Sequence, residues 1–101
     1  MDTEQIYQTV RARFDHAQAK KVLKEKYKAK MVFASHNGMW LAGPELISVL
    51  QCCFGELAII QDLYHNPVKV NVANLLAESQ QRWQEQMNAW LVEYSELEKQ
   101  R

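Results

Sequence analysis

The chain has little of what breaks, cross-links or anchors a polypeptide. Three glycines and two prolines in 101 residues exclude long flexible linkers, which depend on such residues. No internal repeat and no low-complexity tract is present. The two cysteines, Cys52 and Cys53, are adjacent. A disulfide between neighbours closes a strained eight-membered ring, so in an apolar segment they read as small buried hydrophobes and a reducing, cytoplasmic setting is expected. The longest apolar run is far short of the roughly 20 residues that span a bilayer, so no membrane partner is expected. The polar N-terminus, without an apolar core segment, predicts no signal peptide. Net charge is zero. There is no phosphate-binding loop and no catalytic signature.

The composition, 48% hydrophobic and 24% charged, is that of an ordinary globular protein and is sufficient for a core. Its length fits a single domain, residues 1–101. The charge is unevenly placed: residues 1–30 carry eight Lys or Arg against four Asp or Glu, and residues 31–101 reverse that balance. A basic end and an acidic end suit head-to-tail or hetero-association better than general nucleic-acid binding.

The periodicity predicts a first helix from Thr3 to Lys28, capped by Thr3, with Ile6, Val10, Phe14 and Ala17 on one face. The apolar face then rotates, since Leu23 and Tyr27 extend a different row; one bent helix or two short ones, broken near Asp15, would produce this. Lys30 to Ala42 reads as a β-hairpin turning at Asn37-Gly38, because a type I′ turn needs positive φ at both central residues. Gly43-Pro44-Glu45 opens a short helix, apolar on most sides and therefore expected to be buried, with Gly55 as its C-cap. Leu57 to Tyr64 is a strand, His65-Asn66-Pro67 a turn, and Val68-Lys69-Val70 the returning strand. Asn71 is placed to cap the final helix. The expected fold is α+β: a small, mostly antiparallel sheet of two hairpins, an N-terminal helix, a short central helix and a long C-terminal helix over 72–99.

That last helix is the most distinctive segment. Leu76, Gln80, Trp83, Met87, Trp90, Tyr94 and Leu97 follow in alternating steps of four and three, the seam of a helix that packs on another helix. It would be about 42 Å long, longer than a compact chain of this size is wide, so part of it should project. Trp83, Met87, Trp90, Tyr94 and Leu97 are therefore the candidate protein interface, unless the first helix folds back along them. Lys20, Lys24 and Lys28 lie four apart and could meet an acidic partner surface or a phosphate backbone; a solvated helix face is the plainer reading.

Candidate chemistry is sparse. His16, His36 and His65 lack the spaced ligand pairs of a zinc site. Neither cysteine has an evident base beside it. Asp15, Glu45, Glu56 and Asp62 fall on different elements, with Asp62 expected at a solvent-facing or turn position. No cofactor and no enzymatic role is expected.

Three stretches carry a resemblance: FASHNGMWLAGPEL (Phe33 to Leu46), DLYHNPVKVN (Asp62 to Asn71) and WQEQMNAW (Trp83 to Trp90). They resemble small proteins of T-even-like tailed phages, notably those of cyanobacteria, associated with the head-gene neighbourhood. The resemblance implies a non-enzymatic role in virion head assembly through protein contacts or self-association, in the cytoplasm of an infected host or in the virion. The alternatives are a host-directed effector that binds a bacterial protein, and a nucleic-acid-binding accessory protein that uses the lysine face. The matching motifs are turns and packing residues, so no catalytic residue is carried over.

Overall fold

The computed structural model describes residues 2–99. Among these the order is α1 (Thr3–Lys30), β1 (Val32–Ser35), β2 (Gly38–Leu41), α2 (Pro44–Cys52), β3 (Leu57–Gln61), β4 (Pro67–Asn71) and α3 (Val72–Lys99). This is the expected α+β arrangement, with the strands forming two separate antiparallel hairpins, β1–β2 and β3–β4.

α1 is one unbroken helix of 28 residues, not two, and it runs two residues beyond the expected end. Its cap is Asp2 rather than Thr3: the Asp2 Oδ1 accepts the Gln5 N–H at 2.8 Å, which satisfies one of the helix's open N–H groups. α3 starts as expected, with the Asn71 Oδ1 accepting the Asn74 N–H at 3.0 Å.

The first hairpin turns one residue earlier than its Asn-Gly pair suggests. Ser35 pairs with Gly38, so the loop is His36-Asn37, both at positive φ (52° and 62°). Gly38 is needed for a different reason. A Cβ there would lie 3.1 Å from the Trp40 ring and 3.3 Å from the Asp62 Cβ, closer than ordinary packing permits.

Asp62 joins the two hairpins. Its carboxylate accepts N–H groups from Met39 (3.3 Å), Tyr64 (2.9 Å) and Asn66 (3.0 Å), and the Leu63 N–H bonds to the Met39 carbonyl at 2.7 Å. These backbone donors, Asn66 first, hold the Asp62 carboxyl below its ordinary pKa because they favour the charged form. Of the two positions expected for Asp62, the turn contact is observed and the solvent-facing one is not, because the residue is buried, while β3 ends at Gln61 and not at Tyr64.

The core lies where the hairpins, α2 and the first turns of α3 meet. Trp40, Ala42, Leu50, Val70 and Leu75 are almost wholly enclosed there. α2 is less buried than its composition suggests: Leu50 is buried but Val49 and Cys52 are exposed. The burial expected of both cysteines is thus corrected, since Cys52 faces out and Cys53 is half-buried with its thiol donating to the Val49 carbonyl at 3.2 Å. α2 is an outer layer with one face on α3. Gly55 adopts a positive φ of 85°, but α2 already ends at Cys52, with Cys53 extended as its cap.

From this base α1 and α3 extend together. His16 and Lys20 meet Glu98, Lys26 and Tyr27 meet Glu93, and Arg82 reaches the Lys30 carbonyl. Low numbers on one helix meet high numbers on the other, so the two are antiparallel. The molecule measures 66 × 24 × 20 Å with a radius of gyration of 19.3 Å, against about 13 Å for a compact chain of this length.

Candidate interaction surfaces

Three surfaces stand out: the seam of α3, a groove beside it, and the outer half of α1. The seam residues named from periodicity do not share one fate. Trp90 stacks on Tyr27, with ring centroids 6.0 Å apart and planes 5° apart. Tyr94 lies under the Lys20 ammonium, 5.3 Å from its ring centre, and Leu97 is half-buried. α1 therefore folds back along this part of the seam, as a helical hairpin within the chain. Charge fastens it. The Lys20 Nζ is 2.9 Å from Glu98 and the Lys26 Nζ 2.7 Å from Glu93; the Tyr27 hydroxyl donates to the same Glu93 oxygen at 2.7 Å. The hydrogen bond from Lys20 draws the Glu98 carboxyl down to about 2. Lys26 first, then Tyr27, lowers Glu93, while the hydrogen bond to Glu93 raises the Tyr27 hydroxyl.

Trp83 and Met87, with one side of Trp90, line a groove of 740 Å³ whose other walls include Leu46 and Val49 of α2 and Ile60 of β3. Its lining is mainly apolar; Lys28, Glu45 and His65 also border it. Asp62 borders it too, but its carboxylate is committed to three backbone donors. The groove thus has the size and lining of a binding cleft. Among the described residues no three of His, Cys, Asp and Glu stand together as metal ligands. No helix is long and apolar enough to cross a membrane, among the same residues.

The lysine row divides. Lys20 is bound to Glu98, Lys28 stands at the edge of the groove, and Lys24 faces solvent. Three lysines at spacing four do share a side of α1, but the first is committed to α3. Sequence spacing cannot reveal this, because the partner carboxylate lies 78 positions away.

The third surface went unrecognised as such in the sequence. α3 ends opposite His16, and α1 continues past it. Ile6, Tyr7, Val10 and Phe14 on this arm are 50%, 63%, 61% and 68% exposed. Among the described residues, no hydrogen bond or ion pair joins residues 3–15 to another element. At about 100° per residue, the arm's stripe sits roughly 120° around the helix from the row His16, Lys20, Leu23 and Tyr27 that meets α3. The rotation of the apolar face seen in the sequence is therefore no kink. One straight helix carries two apolar faces, of which the described residues cover one. That rotation was the available signal.

Comparison with known proteins finds no family model, no curated protein and no solved structure that matches the chain.

Proposed function

We propose that this protein is non-enzymatic and works through protein–protein contact, as a small assembly factor of a tailed phage, in construction of the virion head. The observation that carries the reading is the arm: four turns of helix that present Ile6, Tyr7, Val10 and Phe14 to solvent. Single exposed apolar residues are ordinary, but a contiguous stripe marks a contact surface. The Trp-lined groove adds a second apolar surface at the other end of the molecule. The tailed-phage setting rests on the likeness of the hairpin, the β3–β4 turn and the Trp83–Trp90 segment to small phage proteins.

The test is the solution mass, by light scattering, of the wild type and of a Val10→Glu, Phe14→Glu double variant, each alone and with co-expressed phage head proteins. An arm-dependent complex is expected, with the variant retaining its helix content by circular dichroism because both sites are exposed. A chain that stays at 11.8 kDa and binds no head component, with or without the substitutions, overturns the reading.

A further inference from the structure

We infer that the arm's occupant is the arm of a second copy, laid antiparallel across it about a two-fold axis. This rests on the contact role proposed above and names the partner. Continuing α3 along α1 would meet the row Gln5, Thr9 and Ala12, which is small and polar, not the row of Ile6, Val10 and Phe14 a third of a turn away. The chain's own hairpin geometry therefore leaves the stripe open.

The spacing of the stripe suits a helical partner. Thr3, Tyr7, Val10 and Phe14 follow in steps of four, three and four, the spacing of a two-helix seam. With the axis between Tyr7 and Val10, Tyr7 packs on Val10 of the second copy and Phe14 on its Thr3, and each layer sets a large ring against a small side chain. Four layers span about 17 Å of helix, the length of the free arm.

Charge order sets the direction of that partner. The arm begins with Asp2 and Glu4, continues with Arg11 and Arg13, and ends at Asp15. Glu4 and Arg11 lie on the same flank of the stripe, so antiparallel packing brings Glu4 beside Arg11 of the second copy, twice by symmetry. Parallel packing would place acidic end beside acidic end and arginines beside arginines. An isologous two-fold contact of this kind closes on itself as a dimer and does not grow into fibres.

The experiment is sedimentation equilibrium of the full chain over a range of concentrations, for the wild type, Glu4→Arg, Arg11→Glu and the double exchange Glu4→Arg with Arg11→Glu. Both sites are exposed, and circular dichroism verifies that each variant is folded. The wild type is expected to dimerise. Each single reversal replaces two attractive contacts by two repulsive ones and should weaken the dimer about tenfold, the modest effect expected of exposed ion pairs; the double exchange should return it to within about twofold of the wild type. A wild-type chain that stays monomeric overturns the inference, and the contact role survives only if an arm-dependent complex with a head protein remains. A dimer whose singles are unaffected, or whose double exchange is no better than the singles, overturns the antiparallel pairing while the contact role stands.

Discussion

The two halves of α1 are built from one uninterrupted helix and meet opposite fates. From His16 to Lys30 the helix has a covered face: Leu23 and Tyr27 are buried, and two lysines are fastened to glutamates of α3. From Thr3 to Asp15 it has an apolar face of its own, which is bare. Helix propensity cannot separate them. What separates them is the angle of the apolar row around the axis, and the lesson is that a rotated stripe in a straight helix means a second contact surface, not a broken helix.

The comparison can be broken most strongly at Leu23. Replacing it by Ala empties a covered position and should cost about 2–3 kcal/mol, measured by urea unfolding. The same substitution at Val10 on the bare half is the smallest effect expected here, within about 0.5 kcal/mol for the monomer. Equal losses at the two sites would mean that the halves are not distinct.

α3 offers a counterpart between these extremes. Its Ser79 is wholly enclosed, with a hydroxyl that has no hydrogen-bond partner among the described residues. Ser79→Ala removes that uncompensated polar group and improves helix propensity, so the variant should be about 1 kcal/mol more stable. A loss of stability would mean that the hydroxyl is satisfied.

The electrostatic fastening of the inner half is sharpened by acid. The Glu98 carboxyl lies at about 2 in the fold, against an ordinary 4.5. A depressed carboxyl contributes stability that is complete above the ordinary value and is lost as pH falls from there through the folded value, because the unfolded chain binds the proton more readily. Melting temperature should therefore fall between about pH 4.5 and 2, and Glu98→Gln should flatten that part of the curve and leave the unfolding of the hairpin base otherwise alike. An unchanged acid profile would remove Glu98 from the fastening.

Much of the fold was legible because its signals are local. The Pro44 start of α2, the Asn71 cap and the order of elements each depend on residues within a few positions. The heptad spacing identified α3 as a helix that packs on a helix, but spacing cannot say whose helix covers it. Tyr27, 63 positions before Trp90, is the answer for one stretch, and the groove walls of Leu46 and Ile60 flank another. His36-Asn37 was missed as the turn because glycine at 38 mimics a turn residue, whereas its real constraint is the Trp40 ring. The exposure of Cys52 was missed because an apolar short helix looks internal until its neighbours are placed. Glu93 and Glu98 gave no sign of their partners for the same reason.

A body about three times as long as it is wide also moves through water differently from a sphere of equal mass. It meets more friction end over end than along its axis, so it diffuses slowly and leaves a sizing column ahead of compact proteins of 11.8 kDa. Elution volume alone would overstate the mass of a single copy. Its amide relaxation rates will depend on bond direction, with the amides of α1 and α3, the two long helices, reporting the slow end-over-end tumbling.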